Sequence, residues 1–259
     1  MDIINRFCKM AYEGHLMGWH ERNGGNLSYR MTYEDIDSMK KDFIQSQWID
    51  LDVTLDNLSN EFFIVTGSGK YFSNVMNSQD AIGIIELNDS GDAYRIRWGL
   101  EGSKPTSELP THLMNHSVKK ALGHRVIYHA HTTNVIALTF VLPLEDKVFT
   151  KKLWQMATEC PVVFPEGLGV VEWMVPGGRA IAEKTSQKMK DYNACVWAHH
   201  GLFCSGRDFD ETFGLMHTIE KSAEILIKVM STGINIKNTI TNDNFNQVAE
   251  AFQVDLMEI

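Results

Sequence analysis

Val126-Ile127-Tyr128-His129-Ala130-His131 is the stretch on which the fold and the chemistry of this chain turn. Its residues alternate with the two-residue period of an extended strand, so Ile127, His129 and His131 share one face and Val126, Tyr128 and Ala130 the other. Two imidazoles one strand period apart suit a single metal ion, although His-x-His alone is more often two polar residues at a strand end. A second strand-like segment, Ala194 to Cys204, carries His199-His200-Gly201. Read as a strand, it sends its adjacent histidines to opposite faces, so only one of them can join His129 and His131. Three histidines on converging strands leave a coordination position open, the pattern of a catalytic rather than a structural zinc centre.

Outward from these segments the chain reads as strands interleaved with helices. Ile3, Ile4, Phe7, Met10, Ala11 and Tyr12 recur at helical spacing behind Asp2, a candidate N-cap. Gly24-Gly25 ends that helical regime. Glu61 to Thr66 reads as a strand, and Ala81 to Leu87 with Tyr94 to Trp98 flank Asn88-Asp89-Ser90-Gly91 as the arms of a hairpin flank their turn. Lys40 to Asn60 reads as an irregular insertion. Helices are expected from Pro110 to Leu122 with Gly123 as the stop, from Asn134 to Val141, from Arg179 to Asp191, from Phe209 to Met230, and after Asn242. Further strands are expected at Val162 to Phe164 and Val170 to Met174. No repeat, low-complexity tract or proline-rich linker divides the chain, so residues 1–259 are read as one α/β domain, a sheet covered by helices.

Composition narrows the function. With 259 residues and 44% hydrophobic content the chain can bury a sizeable core. A formal net charge of −9, with no basic stripe, argues against DNA, RNA or an anionic membrane as partner. No apolar run approaches the roughly 18 residues of a membrane span, and Met1 to Trp19 lacks the basic-then-apolar order of a signal peptide. Cys8, Cys160, Cys195 and Cys204 are scattered without a CxxC pair, which fits a reducing cytoplasm.

A metal centre needs a proton-transfer group beside it. Glu108, in Pro105-Thr106-Ser107-Glu108-Leu109-Pro110, stands at a helix start next to two hydroxyls; an ordinary first-turn glutamate complementing the helix dipole fits the same pattern. Asn23-Gly24-Gly25-Asn26 and Thr66-Gly67-Ser68-Gly69-Lys70 are short, polar and rich in accessible N–H groups, so each reads as a phosphate cradle or as a plain turn. Neither is a Walker A loop, and no G-x-G-x-x-G follows a strand.

Taken in order, Glu21-Arg22-Asn23-Gly24-Gly25-Asn26-Leu27, Val65-Thr66-Gly67-Ser68-Gly69-Lys70, Pro105 to Pro110, His129-Ala130-His131 and His200-Gly201 resemble the class II aldolase family, which includes fuculose-phosphate aldolase and ribulose-phosphate 4-epimerase. Trp98-Gly99-Leu100, Thr158-Glu159-Cys160, Val162-Val163-Phe164-Pro165, Trp173-Met174-Val175-Pro176-Gly177 and Asp210 to Leu215 extend the likeness over nearly the whole chain and favour the family's sugar-phosphate aldolases. The resemblance implies a central, largely antiparallel β-sheet covered by helices and reversible aldol cleavage of a small-molecule sugar phosphate. It implies one Zn2+ per subunit on His129, His131 and His200, because the family's third ligand directly precedes the glycine of its His-Gly pair. His199 departs from the family, which has an apolar residue there. The resemblance further makes Glu108 the catalytic acid/base and assigns phosphate binding to Asn23, Gly25, Asn26, Ser68, Gly69, Thr106 and Ser107. Glu159 is implied to reach the active site of a neighbouring subunit in a homotetramer. The adducin head resembles the same family without its activity, so a non-catalytic module with this fold is the competing expectation.

Overall fold

The computed structural model describes residues 3–76 and 80–259; the candidate N-cap Asp2 lies outside the described residues. Helix α1 (Ile3–Leu16) buries Ile3, Phe7, Met10 and Ala11 on one stripe. It leads into strand β1 (Asn26–Arg30), whose five residues are all buried. Helix α2 (Tyr33–Met39) starts on a capping box in which Thr32 and Asp35 satisfy each other's backbone N–H groups. The segment from 40 to 60 is mostly irregular, with the two-residue strand β2 (Ile49–Asp50) inside it. Strand β3 (Phe62–Thr66) is followed by the hairpin of β4 (Ile82–Leu87) and β5 (Ala93–Gly99). Helix α3 (Leu109–Lys119) then precedes strand β6 (Val126–Ala130), and a 3-10 turn and Gly123 in the left-handed conformation separate them.

Beyond β6 come helices α4 (Thr133–Leu138), α5 (Asp146–Trp154) and α6 (Cys160–Val163), then strand β7 (Gly169–Val171) and helix α7 (Arg179–Lys188). Strands β8 (Ala194–Trp197) and β9 (Gly201–Gly206) follow, then helices α8 (Phe209–Ser231) and α9 (Asn242–Phe252). Among the described residues the strands form one nine-stranded sheet in the order β2-β5-β4-β3-β1-β6-β9-β8-β7. Every pairing is antiparallel except β7 with β8. The largely antiparallel, helix-covered sheet expected from the sequence is therefore present.

Three sequence expectations need correction. Val162 to Phe164 is not a strand: Pro161 sits in the first turn of α6, where its fixed φ and missing N–H favour a helix start. Val170 to Met174 is a strand only as far as Val171. Ala194 to Cys204 is not one strand but the hairpin β8–β9, with Trp197 paired to Gly201 across a tight turn. His199 and His200 lie in that turn, so strand alternation does not decide which way they point; His199 has φ +60°, and the His200 N–H donates to the Trp197 carbonyl at 3.1 Å.

Both faces of the sheet are covered. Leu27, Tyr29, Val126, Tyr128 and Ala130 pack with α1, α5 and α8 in the largest apolar cluster. On the opposite face Phe63 and Val65 pack with Leu109 and Leu113 of α3, and Ile127 and Phe203 pack with Ile181 of α7. Among the described residues no helix is long and apolar enough to cross a membrane.

Candidate metal centre and active site

The site lies where β1, β6 and β9 end beneath the start of α3. Register fixes its floor: Asn26 on β1 stands directly opposite His129 on β6, which stands opposite Phe203 on β9. The His129 ring stacks on Phe203 at 4.2 Å between centroids. His131 lies just past the end of β6, its N–H donating to the Trp19 carbonyl at 3.0 Å. Helix α4 begins two residues later, and its N-terminus is capped by Glu220 of α8, whose carboxylate accepts from the N–H groups of Asn134 and Val135. His200 arrives from the β8–β9 turn. These three imidazoles form a cluster in which one ligand atom from each lies within 4.8 Å of the others.

The donor set fits a divalent ion. His129 is fully buried, and its Nδ1 faces the Leu202 carbonyl at 3.2 Å, so that nitrogen carries the proton. The opposite nitrogen, Nε2, has no hydrogen-bond partner, which is costly for a buried polar atom unless a ligand meets it. Burial and the neighbouring His200 and His131 push the His129 imidazole well below its ordinary pKa, and burial lowers His200 to about 4, so both are neutral near pH 7 and able to coordinate. His131 Nδ1 lies 2.6 Å from Glu21 Oε1, leaving Nε2 for a metal. The carboxylate–histidine pairing is typical of the shell behind metal ligands.

Glu108 occupies the N-cap position of α3 without capping it. Its Oε2 lies 3.8 Å from His129 Nε2 and accepts from Asn26 Nδ2 at 2.9 Å. Burial raises its carboxyl to about 7, against the lowering effect of the Asn26 hydrogen bond. The Glu108 N–H donates to Thr106 Oγ1 at 3.3 Å.

The two glycine-containing turns meet over this floor. Gly25 has φ +74°, and a Cβ there would lie 2.5 Å from His20 Nδ1 and 2.7 Å from the His129 carbonyl, so both conformation and space demand glycine. Ser68 N–H donates to the Lys104 carbonyl and Thr106 N–H to that of Thr66, which knits the second turn to the Pro105–Glu108 segment. Together they enclose a cavity of about 190 Å³ lined by Asn23, Gly25, Asn26, Ser68, Gly69, Thr106, Ser107, Glu108, His131 and His200, with Gly24 and Gly67. His129, fully buried, lies behind the cavity lining, its Nε2 3.8 Å from Glu108 Oε2. No lysine or arginine lines it among the described residues, so an anion there meets N–H groups and hydroxyls.

Two sequence candidates lie elsewhere. Glu159 is exposed at the N-cap of α6 and does not line the cavity. His199 turns away to Thr139, whose Oγ1 lies 3.0 Å from its Nδ1 and 3.0 Å from its N–H. The sequence reading also missed Glu21, which pairs with His131, and Ser28, His112 and His116, which form a buried hydrogen-bonded chain behind Asn26. The i,i+4 spacing of His112 and His116 on α3 was the available signal.

A fold and a centre of this kind define a class of protein, and the sequence comparison agrees with them: the chain belongs to the Class II Aldolase and Adducin N-terminal domain family, which matches residues 5–227. It is 46% identical to rhamnulose-1-phosphate aldolase of Mannheimia succiniciproducens over 99% of this chain and 96% of that relative. It is 45% identical to rhamnulose-1-phosphate aldolase of Klebsiella pneumoniae subsp. pneumoniae over 99% and 95%. Among solved structures, a sugar-phosphate aldolase from Thermotoga maritima superposes with a TM-score of 0.79 at 28% identity, covering 91% of this chain and 97% of that one.

Proposed function

We propose that this protein is a zinc-dependent lyase that reversibly cleaves L-rhamnulose 1-phosphate into dihydroxyacetone phosphate and L-lactaldehyde, a step of L-rhamnose catabolism in the cytoplasm. The observation that carries the reading is the convergence of three imidazoles and one buried carboxyl on a cavity whose remaining walls are N–H and hydroxyl groups. Nearly full-length likeness to proteins named rhamnulose-1-phosphate aldolase supports this substrate within the class.

In this reading His129, His131 and His200 hold one Zn2+ per subunit. When bound, such an ion supplies Lewis acidity towards the negative charge that develops on the sugar's oxygens, worth several kcal/mol in the transition state. Glu108 moves the proton at the carbon that becomes nucleophilic in the condensation direction. Burial raises the Glu108 carboxyl and a cation on the neighbouring histidines would lower it, two opposed effects that keep the group able to take and return a proton. Asn23, Gly25, Asn26, Ser68, Gly69, Thr106 and Ser107 grip the phosphate, and fixing that end restricts which carbons meet the base. The net charge of −9 does not oppose this, because the interactions that matter are local. Glu159, exposed on its own subunit, serves the active site of a neighbour in a homotetramer.

The test is metal analysis of the purified protein followed by a coupled assay for dihydroxyacetone phosphate. Stoichiometric zinc with cleavage of rhamnulose 1-phosphate, and not of fuculose or ribulose phosphates, is the expected result. Zinc with preferential turnover of either alternative overturns the substrate, and a metal-free, inactive protein overturns the reading entirely.

A further inference from the structure

Behind Glu108 a buried polar chain runs from the cavity residue Asn26 to Ser28, His112 and His116, three residues that do not reach the cavity. Asn26 Nδ2 donates to Glu108 Oε2, and Asn26 Oδ1 is hydrogen-bonded to His112 Nε2. His112 Nδ1 lies 2.6 Å from Ser28 Oγ, and Ser28 Oγ lies 2.8 Å from His116 Nε2. Ser28, His112 and His116 are wholly buried, and Asn26 nearly so. The last atom in the series, His116 Nδ1, has no hydrogen-bond partner.

That unpartnered nitrogen sets the direction of the whole chain. Burial holds both histidines neutral, so each carries one N–H, and the single Ser28 hydroxyl proton can be given to only one of them. If His116 carried its proton on Nδ1, a buried N–H would be stranded, and stranded donors are rarer in proteins than under-used acceptors. His116 therefore donates from Nε2 to Ser28, Ser28 donates to His112 Nδ1, and His112 donates from Nε2 to Asn26 Oδ1. The Asn26 amide is left with its NH2 group towards Glu108. The reversed chain would turn Oδ1 towards the carboxylate and towards an anionic substrate.

We infer that His112 is a positioning residue that locks the Asn26 amide with its NH2 group facing Glu108 and the cavity. The inference rests on the proposed catalytic role of Glu108. His112→Gln, His112→Asn and His112→Phe test it, because a Gln amide places its N–H where Nε2 lies, an Asn amide places its own nearer Nδ1, and Phe donates nowhere. His112→Asn and His112→Phe are expected to lower kcat about 10- to 100-fold, the scale of a small misplacement in an active site. KM should rise along with the loss of kcat, because the same Asn26 amide grips the phosphate, while zinc content should be unchanged, with His112→Gln recovering both kcat and KM to within about threefold of the parent. Should Phe prevent folding, the Gln and Asn pair decides. Equal loss in Gln and Asn, or no loss in Asn, overturns the inference.

A second readout needs no substrate. In protein labelled with 15N at histidine, long-range 1H–15N NMR should show His112 and His116 as neutral Nε2–H tautomers; Nδ1–H on either one overturns the inference. A parent protein that cleaves no sugar phosphate would refute the function while leaving the tautomers to be judged by themselves.

Discussion

Strands β1 and β6 present two buried faces built on opposite principles. One carries Leu27, Tyr29, Val126, Tyr128 and Ala130 into the large apolar cluster. The other carries Asn26, Ser28 and His129, equally removed from water but tied by hydrogen bonds or left with a free nitrogen. Apolar burial is stabilising in proportion to the area removed from water. Polar burial is stabilising only where each group meets a partner, and one unmatched atom turns it into a liability. A sheet that hides polar groups on one face is therefore organised around whatever that face is to hold. The two faces should answer mutation in different currencies, chemistry on one and folding on the other.

His129→Ala tests the polar face most severely. It is expected to abolish zinc retention and cleavage together while the protein still folds, checked by metal analysis and the coupled assay. Full activity with an empty site would remove the histidine cluster from the mechanism. Next in size is Glu108→Gln, which should keep zinc yet lower turnover by roughly two to four orders of magnitude, the usual worth of general acid/base catalysis. Unchanged turnover would assign that carboxyl to helix architecture instead.

On the apolar face Leu27→Ala should do the converse. Leu27 is fully buried between β1's neighbours and the helices, so its loss should lower unfolding stability by about 2–5 kcal/mol, read from denaturant titration, with zinc stoichiometry and KM unchanged. Loss of zinc in a folded Leu27→Ala protein would mean that the two faces are not separable.

The same contrast explains what the sequence disclosed. Strand β6 is legible because its alternation is uniform: Val126, Tyr128 and Ala130 fall on one side, Ile127 and His129 on the other. Its neighbour β1 is hidden because Asn26, Ser28 and Arg30 look like solvent positions, whereas all three are buried, the first two against α3. Polar residues advertise exposure, and only knowledge of their partners reverses that reading. The cavity residues were found through motif order, since His129 and Glu108 are 21 positions apart and no local spacing joins them. The turn at His199 was hidden because Ala194 to Trp197 and Gly201 to Gly206 are both apolar and strand-like, and a histidine at positive φ gives no glycine signal between them.

A smaller effect follows from pH. Burial lowers His20 and His112 each to about 3, against 6.5 in an unfolded chain. Above about 6.5 both states are neutral and pH is without effect through these groups. Below it the unfolded chain takes up protons that the fold refuses, so stability falls as pH falls towards 4, by at most about 1.4 kcal/mol per pH unit for each group. Chelator-treated protein should therefore unfold at a lower denaturant midpoint at pH 5 than at pH 7. A midpoint that rises on acidification would contradict the burial of these rings.

The smallest effect is the sharpest on assignment. His199 and His200 are adjacent, yet only His200 belongs to the histidine cluster, while His199 meets Thr139 and Phe140. At φ +60° a β-carbon is strained by roughly 1–2 kcal/mol, so His199→Gly relieves the backbone while losing one partly exposed hydrogen bond of about 1 kcal/mol. These changes oppose each other. Net stability should move by no more than about 1 kcal/mol, and zinc content and kcat should stay at the parent level. His200→Ala, one residue on, should empty the metal site. If His199→Gly loses zinc and His200→Ala keeps it, the turn folds the other way round in solution and the polar face has a different third ligand.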